Sequence, residues 1–371
     1  MVFLLLFLLN FSFGVYIGIE LGQPKETGFF PVTLSMVYSS EKKSWINSII
    51  DEFFFYMLAR GVFVTMDFEP MGSRSMVIST ITGEIKPTII SPASSIWLDY
   101  TNVKLALLER TPLIDPELTE KIIYSPIVIG TWKFFNLNET WNITGFDSLL
   151  NIPILRWSHT DPQLSNSGTM SVIMQVAAFL GLNTSDIKLL RDFANPEMLL
   201  KMAIIESKIP YYGASTGFLA KKALDGSLDV FIVYENLIID MNKKDLAIVR
   251  GGAMAVYPED GVLLADHPFC ILKGDWVNPL ELLVAEEFLK FIKSHEIVLK
   301  AIKKGFRPID ESILNDPVFN DTFNSVFTEF AGVQLEIPCP IYSSQIGSDI
   351  FDSYAILEEI PELWTIVRAE G

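Results

Sequence analysis

A short pattern recurs along this chain: an apolar strand runs into a polar turn rich in Ser or Gly, and a helix follows. Val32–Tyr38 leads into Ser39-Ser40, Val62–Phe68 leads to Gly72–Ser75, and a third strand ends in Ser91–Ser95. This alternation predicts a parallel sheet with helices on its faces. Because open α/β sheets bind ligands at the carboxyl ends of their strands, these polar turns are candidate ligand contacts.

The alternation continues to the end of the chain, whose 371 residues are enough for two α/β lobes with separate cores. Hydrophobic runs predict further strands at 122–131, 154–158 and 229–235 and an extended segment at 247–257. Cap and stop residues predict helices at 40–59, 72–82, 170–180, 196–207, 218–224 and 279–304, with two short ones at 349–359 and 361–369.

The composition excludes several classes of protein. Hydrophobic residues make up 50% of the chain and charged residues 20%, which argues against disorder. The net charge of −17 argues against nucleic acid as a partner and against binding to an anionic membrane surface. The histidines and cysteines lack the spacing of a zinc site, so we expect neither a metal nor another cofactor.

Residues 2–19 form an almost wholly apolar run that is long enough for one membrane span. A secretory signal would begin with Lys or Arg and end in small residues, and neither is evident. We therefore expect residues 1–22 to form a helix that anchors the protein outside the cytoplasm. A cleaved signal, which would release a secreted protein, is the second interpretation, and a buried core helix is the third.

Two further features fit an exported protein without establishing it. N-glycosylation sequons begin at Asn138, Asn142, Asn183 and Asn320. Cys270 and Cys339 could form one disulfide, worth about 4 kcal/mol in the chain-entropy description, or remain two buried thiols.

The polar turn 159–169 precedes a strongly apolar helix. Its Ser165, Asn166, Ser167 and Gly168 would place unpaired backbone N–H groups and the positive end of the helix dipole together. Such a helix start suits an anion or a polar ligand oxygen. An N-cap that serves only its own helix explains the same residues and is the more common case.

A pentapeptide raises the alternative of catalysis. Gly213–Gly217 matches the G-x-S-x-G pattern of serine hydrolases, with Ser215 as the nucleophile and Asp266-His267 or His295 to complete a triad. Because five-residue matches are common and the preceding residues barely form a strand, a helix N-cap at Ser215 is the simpler interpretation.

Two other polar pairs have a similar ambiguity. His159 and Asp161 are close in sequence to serines, but a turn held by side-chain hydrogen bonds explains them better than acid–base catalysis. Tyr234 and Glu235 end a predicted strand, where contact with a ligand and simple exposure are equally good interpretations.

Several motifs occur in order along the chain: His159-Thr-Asp-Pro with Ser165-Asn-Ser-Gly, Tyr211–Leu219, Tyr234-Glu-Asn236, Val256–Gly261, Asp266-His-Pro268 and Gly305-Phe-Arg-Pro308. Together they resemble bacterial extracellular solute-binding proteins, near the molybdate- and sulfate-binding branch. The resemblance covers residues 32–368, and the ordered set carries it rather than any single motif.

The resemblance implies an α/β, two-lobed type II periplasmic-binding fold, preceded here by the apolar N-terminal helix. Lobe one would combine residues 30–122 and 256–371, and lobe two would comprise residues 123–255. Two extended crossings, near 123–131 and 247–257, would form the hinge on which the lobes close.

The resemblance also implies a function other than catalysis. A small polar solute, with oxyanions as one candidate class, would bind between the lobes and be presented to the permease of an ABC-type importer. The implied ligand contacts are Ser39, Ser40, Ser94, Ser95, Ser165, Asn166, Ser167, Gly168, Ser215, Tyr234 and Glu235. Glu235 and the net acidity would repel an anion unless Glu235 points away. The alternative is a sensing or assembly role without transport, beside a von Willebrand factor type A protein.

Overall fold

The computed structural model describes residues 31–136, 141–182, 193–328 and 332–370. The predicted N-terminal helix (1–22) and the sequons at Asn138 and Asn183 lie outside these residues, whereas Asn142 and Asn320 are exposed. Within the described ranges, no helix is both long enough and apolar enough to span a bilayer. The anchor and the glycosylation stay predictions.

The described part of the chain contains twelve strands and fifteen α-helices, joined by turns and short 3-10 helices. The strands are β1 (Pro31–Ser39), β2 (Phe63–Met71), β3 (Ile89–Ser91), β4 (Thr119–Glu120), β5 (Ile123–Trp132), β6 (Trp157–Ser158), β7 (Val230–Tyr234), β8 (Ala253–Val256), β9 (Val262–Ala265), β10 (Phe269–Ile271), β11 (Arg307–Pro308) and β12 (Pro340–Tyr342). The helices are α1 (Lys43–Asn47), α2 (Ile50–Leu58), α3 (Ser73–Thr82), α4 (Ile96–Leu107), α5 (Lys133–Asn136), α6 (Phe146–Leu150), α7 (Asn166–Phe179), α8 (Pro196–Glu206), α9 (Thr216–Leu224), α10 (Glu235–Met241), α11 (Asp245–Ile248), α12 (Pro279–Ile292), α13 (His295–Lys303), α14 (Pro317–Val326) and α15 (Ile350–Glu370).

The first sheet has the strand order β2-β1-β3-β10-β4. Its strands β1, β2 and β3 are parallel, as the repeated pattern predicts, and the register places Ser39 beside Met71 and Tyr38 beside Ser91. The polar turns that follow these strands therefore lie at one edge of the sheet. Helix α12 packs against β1. The rings of Phe53 and Phe288 meet edge to face beside it and fill the apolar layer.

The second sheet is organised around β5, all of whose residues are buried. The first residues of β5 pair with β9 and β11, and its later residues pair with β7 and β8. Strand β6 adds to β7 in parallel, which sets Ser158 beside Phe231. The turn after β6 and the residue that ends β7 therefore open toward the same edge.

Two of the predicted long elements are interrupted. The predicted helix 40–59 is a 3-10 turn at Ser40–Lys42 followed by α1 and α2, because Ile49 has φ −121° and leaves the helical region. The predicted helix 279–304 is divided into α12 and α13, because Ser294 has ψ 145° and starts a new helix. The predicted extended segment 247–257 forms α11 and becomes a strand only after the left-handed Gly251-Gly252.

The two short helices predicted at the end of the chain are one helix, α15, which continues through Pro361. Proline lacks the N–H that an interior helical position donates, and it normally breaks a helix. Here Ile360, Leu363 and Trp364 are buried on either side of it, so packing holds the helix together. Helix α15 lies against α4 and also against α7 and α8.

The two cysteines are not joined by a disulfide. Cys270 is a thiol buried within β10, where burial raises its pKa to about 11, whereas Cys339 is exposed. Of the two open alternatives, the disulfide is not formed, and a buried thiol holds only for Cys270.

Candidate functional site

Four helices begin close together between the two sheets. We refer to their first residues (Gly72-Ser73, Ser95–Trp97, Ser165–Gly168 and Ser215–Gly217) as the helix-start cluster. Helices α3 and α4 come from the first sheet, and α7 and α9 flank strands of the second. The N-cap residues Gly72, Ser95, Ser165 and Ser215 make no side-chain cap hydrogen bond in any of these four helices.

Gly72 brings the start of α3 against the turns before α7 and α9. A Cβ at this glycine would lie 2.4 Å from the Leu164 carbonyl oxygen and 3.1 Å from that of Ala214. The Ser75 N–H donates to the Leu164 oxygen at 3.1 Å. No larger residue fits at position 72 without moving these carbonyls apart, so the close approach depends on glycine.

Asn166 connects three elements through its side-chain amide. Its Oδ1 accepts from the indole Nε1 of Trp97 at 2.7 Å, and its Nδ2 donates to the hydroxyl of Tyr234 at 2.8 Å. All three side chains are buried. The start of α4, the start of α7 and the end of β7 are therefore held in one hydrogen-bonded chain that joins both sheets.

Ser167 is the centre of a group of buried hydroxyls. Its Oγ lies 2.7 Å from Thr160 Oγ1, 2.7 Å from Thr216 Oγ1 and 3.4 Å from Ser165 Oγ. The next residue, Gly168, has no room for a side chain, because a Cβ there would lie 2.1 Å from the Thr160 carbonyl oxygen. The structure thus brings Ser165, Asn166 and Ser167 into the cluster, and it packs Gly168 against the preceding turn.

The polar turn after β1 reaches the same cluster. Ser40 Oγ accepts a hydrogen bond from the Gly217 N–H at 2.9 Å. The carbonyl of Glu41 accepts from Asn236 Nδ2 at 3.1 Å. The turn that follows β1 therefore forms hydrogen bonds with α9 and α10, which lie beside the second sheet.

Two serines beside the first sheet, one at the end of β1 and one at the start of α4, donate to carboxylates. Ser39 donates to Glu41. Ser95 offers its backbone N–H at 2.7 Å and its Oγ at 2.6 Å to Asp266, which also lies 2.8 Å from Lys121 Nζ. Ser94 turns toward Ser343, 2.6 Å away, and Ser343 donates to the Leu264 carbonyl.

Lys42 is a buried lysine beside this edge of the first sheet. Its Nζ donates to the carbonyl oxygens of Ser91 at 2.8 Å and Pro92 at 2.9 Å. Burial lowers its pKa to about 7, although Glu41 and Asp266 oppose the shift. Burial would raise the pKa of Glu41, but His267, Lys42 and Ser39 together lower it below its ordinary value, so the carboxylate is ionised.

Glu235 lies apart from the helix-start cluster. It is the first residue of α10 rather than the end of a strand, and its carboxylate takes Arg307 Nε at 2.7 Å and Nη2 at 2.8 Å. The hydroxyl of Tyr257 also donates to it. Arg307 thus compensates the negative charge of this carboxylate.

The proposed hydrolase triad is not assembled. Ser215 makes no hydrogen bond to any of the three histidines, all of which lie in the described residues. Asp266 is occupied by Ser95 and Lys121 rather than by His267. The structure therefore gives the hydrolase alternative no support, and Ser215 is the N-cap residue of α9.

His159 belongs to a separate buried cluster. Its Nε2 lies 2.9 Å from the carboxylate of Glu206, which also accepts from Gln175, Tyr212 and Trp364 at 3.0, 2.8 and 3.0 Å. Burial would raise the pKa of Glu206, but the charge and hydrogen bond of His159 lower it below its ordinary value, helped by Tyr212 and Gln175. These contacts fix the turn 159–169 rather than assist catalysis.

The positive ends of four helix dipoles meet in the helix-start cluster, together with backbone N–H groups that the helices themselves do not bond. This arrangement can hold an anionic or strongly polar group, since N–H donors and dipoles are already oriented before it arrives. Trp97, Thr160 and Thr216 belong to this site but were not among the predicted contacts. Thr160 and Thr216 lie inside the ordered motifs of the sequence. For Trp97, the only signal in the sequence was its position two residues after Ser95.

A family model described as "Bacterial extracellular solute-binding protein" matches residues 34–307. This match covers well over half of the chain. The chain belongs to the bacterial extracellular solute-binding protein family. The ordered motifs therefore predicted the correct family, and solute binding rather than catalysis is its common property.

Solved structures support this solute-binding protein's fold. The sulfate-binding protein SubI from Mycobacterium tuberculosis H37Rv has a TM-score of 0.60 at 17% identity, over 85% of this chain and 96% of that one. The PBP AgtB from A. tumefaciens R10, in complex with agropinic acid, has a TM-score of 0.62 at 14% identity, over 91% and 99%. The Azotobacter vinelandii periplasmic molybdate-binding protein has a TM-score of 0.50 at 16% identity, over 74% and 98%.

Identities this low show the fold alone, and they confirm the predicted two-lobed α/β periplasmic-binding architecture. No curated protein matches the chain in sequence. The expected lobe boundaries, hinge and ligand contacts stay predictions.

Proposed function

We propose that this protein captures a small anion between its two lobes outside the cytoplasm and presents it to the permease of an ABC-type importer. The observation that carries the proposal is the helix-start cluster, where α3 and α4 from one sheet meet α7 and α9 from the other. A solute bound at this point contacts both lobes at once, so binding favours their closure.

Charge compensation near the cluster supports an anion. Glu235 is bound by Arg307, and Asp266 is bound by Lys121 and by Ser95. Glu41, the third carboxylate near the cluster, accepts from Ser39 and lies beside His267 and Lys42. Each of these three carboxylates therefore has a cationic or hydroxyl partner. The net charge of −17 then acts mainly at the outer surface, where salt screens it within about 8 Å.

The names of structural neighbours support capture of a small solute but not its charge. One neighbour is named for sulfate, another for molybdate and a third was solved with agropinic acid, whereas two others are named for thiamin and for spermidine/putrescine, which are cations. The anion therefore rests on the helix-start cluster. Two neighbours carry the words ABC transporter in their titles. These names describe the neighbouring proteins, and the two transporter titles support a transport role for this one.

The proposed lobes are residues 30–122 with 256–371, and residues 123–255. Strand β5 would carry one part of the hinge, since its first residues pair with β9 and β11 and its last with β7 and β8. Asn166, Ser167 and Ser215 would then contact the solute from lobe two, and Ser39, Ser40 and Ser95 from lobe one.

The decisive experiment is mass spectrometry of small molecules released from the purified full-length protein. We expect an anionic solute, and the same anion should raise the thermal midpoint when it is added back. Release of a cationic solute, or stabilisation only by uncharged sugars, would refute the anion.

The variant Ser167→Asp places a negative charge at the start of α7 and should reduce affinity for the anion at least a hundredfold. Ser207→Asp is the matched control, because it adds the same charge at an exposed residue after α8 and should leave binding unchanged. Equal affinity of both variants for the anion would show that the helix-start cluster is not part of the binding site.

A further inference from the structure

His267 is a buried residue in a strained backbone conformation beside the helix-start cluster. Its φ of 37° lies in the left-handed region, which is unfavourable for a residue with a side chain of this size. Contacts on both sides hold it there. Its own N–H donates to the Ala93 carbonyl at 2.9 Å, and Ser91 Oγ donates to the Pro268 carbonyl at 2.7 Å.

The ring of His267 lies where the two sheets meet. It packs edge to face against Tyr234 of β7 at 5.5 Å and against Phe306 at 5.2 Å. The hydroxyl of Tyr234 accepts from Asn166 at the start of α7. The imidazole is therefore only one tyrosine ring away from the helix-start cluster.

Nε2 of His267 has no hydrogen-bond partner in the described part of the chain. Nδ1, in contrast, faces the Glu41 carboxylate, with Oε1 3.3 Å away. Leaving a buried polar atom without a partner is unfavourable, and such atoms are rare in folded proteins. His159, the other fully buried histidine, instead has partners at both nitrogens.

The surroundings decide which nitrogen of His267 carries the proton. Burial lowers the pKa of His267 below its ordinary value and Lys42 adds to the shift, whereas Glu41 and Asp266 oppose it; the net direction is downward, so the ring is neutral at pH 8. A neutral imidazole has one donor and one acceptor nitrogen. The ionised Glu41 beside Nδ1 favours the proton on Nδ1, because a lone pair there would face the carboxylate. Nε2 is then a hydrogen-bond acceptor.

We propose that Nε2 of His267 accepts a hydrogen bond from the bound solute, so that the protein selects small anions that also carry an O–H or N–H donor. This inference rests on the proposed function: the anionic part of the solute occupies the helix-start cluster, and its donor group reaches His267. A fully deprotonated oxyanion can satisfy the helix starts but presents no donor to Nε2.

Two matched pairs of probes test the proposal by calorimetry on the full-length protein at pH 8. Sulfate and hydrogen phosphate have the same shape, and only the second carries an O–H group. Propionate and 2-hydroxypropionate are the second pair. We expect the donor-bearing member of at least one pair to bind about tenfold more tightly, which corresponds to about 1.4 kcal/mol.

The variant His267→Asn should abolish this difference, and asparagine is a residue that tolerates left-handed backbone. If the Asn variant has a much lower thermal midpoint than the wild type, His267→Gln provides a second replacement. His295→Asn, at an exposed position, is the control and should retain the preference. A preference that survives in a folded His267 variant, or its absence from both pairs in the wild type, would overturn the role of His267.

The failure of this inference can be separated from failure of the proposed function. Tight binding of sulfate without a preference for hydrogen phosphate refutes the role of His267 and retains the anion site. A released solute that is cationic or uncharged refutes the anion site itself. Nitrogen NMR of the wild type gives a direct check, since Nε2 should show the shift of an unprotonated ring nitrogen and change when hydrogen phosphate is added.

Discussion

The pair formed by Glu235 and Arg307 is the contact whose loss should be most costly. Both side chains are buried, at 0% and 2% exposure, and two hydrogen bonds of 2.7 and 2.8 Å join them. Glu235→Gln keeps the shape of the side chain but leaves the charge of Arg307 buried without its counter-ion. Removing one partner of a buried pair costs about 3–5 kcal/mol. Because Arg307 keeps its bonds to the Gln334 and Leu335 carbonyls, we expect about 3 kcal/mol.

Urea unfolding of the wild type and the variant measures this cost as a change in midpoint at constant slope. The control is Asp229→Asn, which breaks the pair with Arg156, whose side chain is 51% exposed; it should cost about 1 kcal/mol or less. The double variant Glu235→Gln/Arg307→Met should recover part of the loss because it removes the uncompensated charge. A cost for Glu235→Gln no larger than the control would refute the reasoning.

Three further substitutions follow from buried contacts. Because the folded pKa of Lys42 is about 7 and its ordinary value is 10.5, the unfolded chain binds one more proton between these values. Stability should therefore rise with pH by about 1.4 kcal/mol per unit from this residue across that range, and Lys42→Met should remove the rise in unfolding midpoints taken against pH. Gly168→Ala should lose about 1–3 kcal/mol in urea unfolding, since the added Cβ meets the Thr160 carbonyl, whereas an uncrowded helical glycine would gain from alanine. Trp364→Phe should lose about 1–3 kcal/mol in the same assay, since Glu206 loses a donor at 3.0 Å; no loss would mean that water replaces the indole.

Local features of the sequence predicted the first sheet well. Strand, turn and helix follow from apolar runs and caps that lie within a few residues of one another, and β1, β2 and β3 pair as that pattern requires. The breaks at Ile49 and Ser294 were missed because the apolar spacing continues across them. Helix α15 was divided wrongly at Pro361 because burial on both sides, which the local sequence does not reveal, keeps it continuous.

The partners of the site residues could not be predicted in the same way. Serines at the ends of strands were recognisable, yet two of them donate to Glu41 and Asp266, and the choice of acceptor depends on how distant segments pack. Glu235 shows the same limit. Its sequence position suggested an edge of the cleft, but its orientation is set by Arg307, 72 residues further along the chain.

Helix α15 adds a constraint that lies beyond the matched family residues, which end at 307. Its first half accepts a hydrogen bond from Arg74 of α3 at the Leu357 carbonyl, 2.7 Å away. Its second half reaches Glu206 through Trp364. The bond to Arg74 lies within proposed lobe one, whereas the bond to Glu206 crosses to proposed lobe two, so opening the cleft must break the second. Since the indole bond ends on a carboxylate with three other partners, the Trp364 side can separate at lower cost, and lobe opening should begin there.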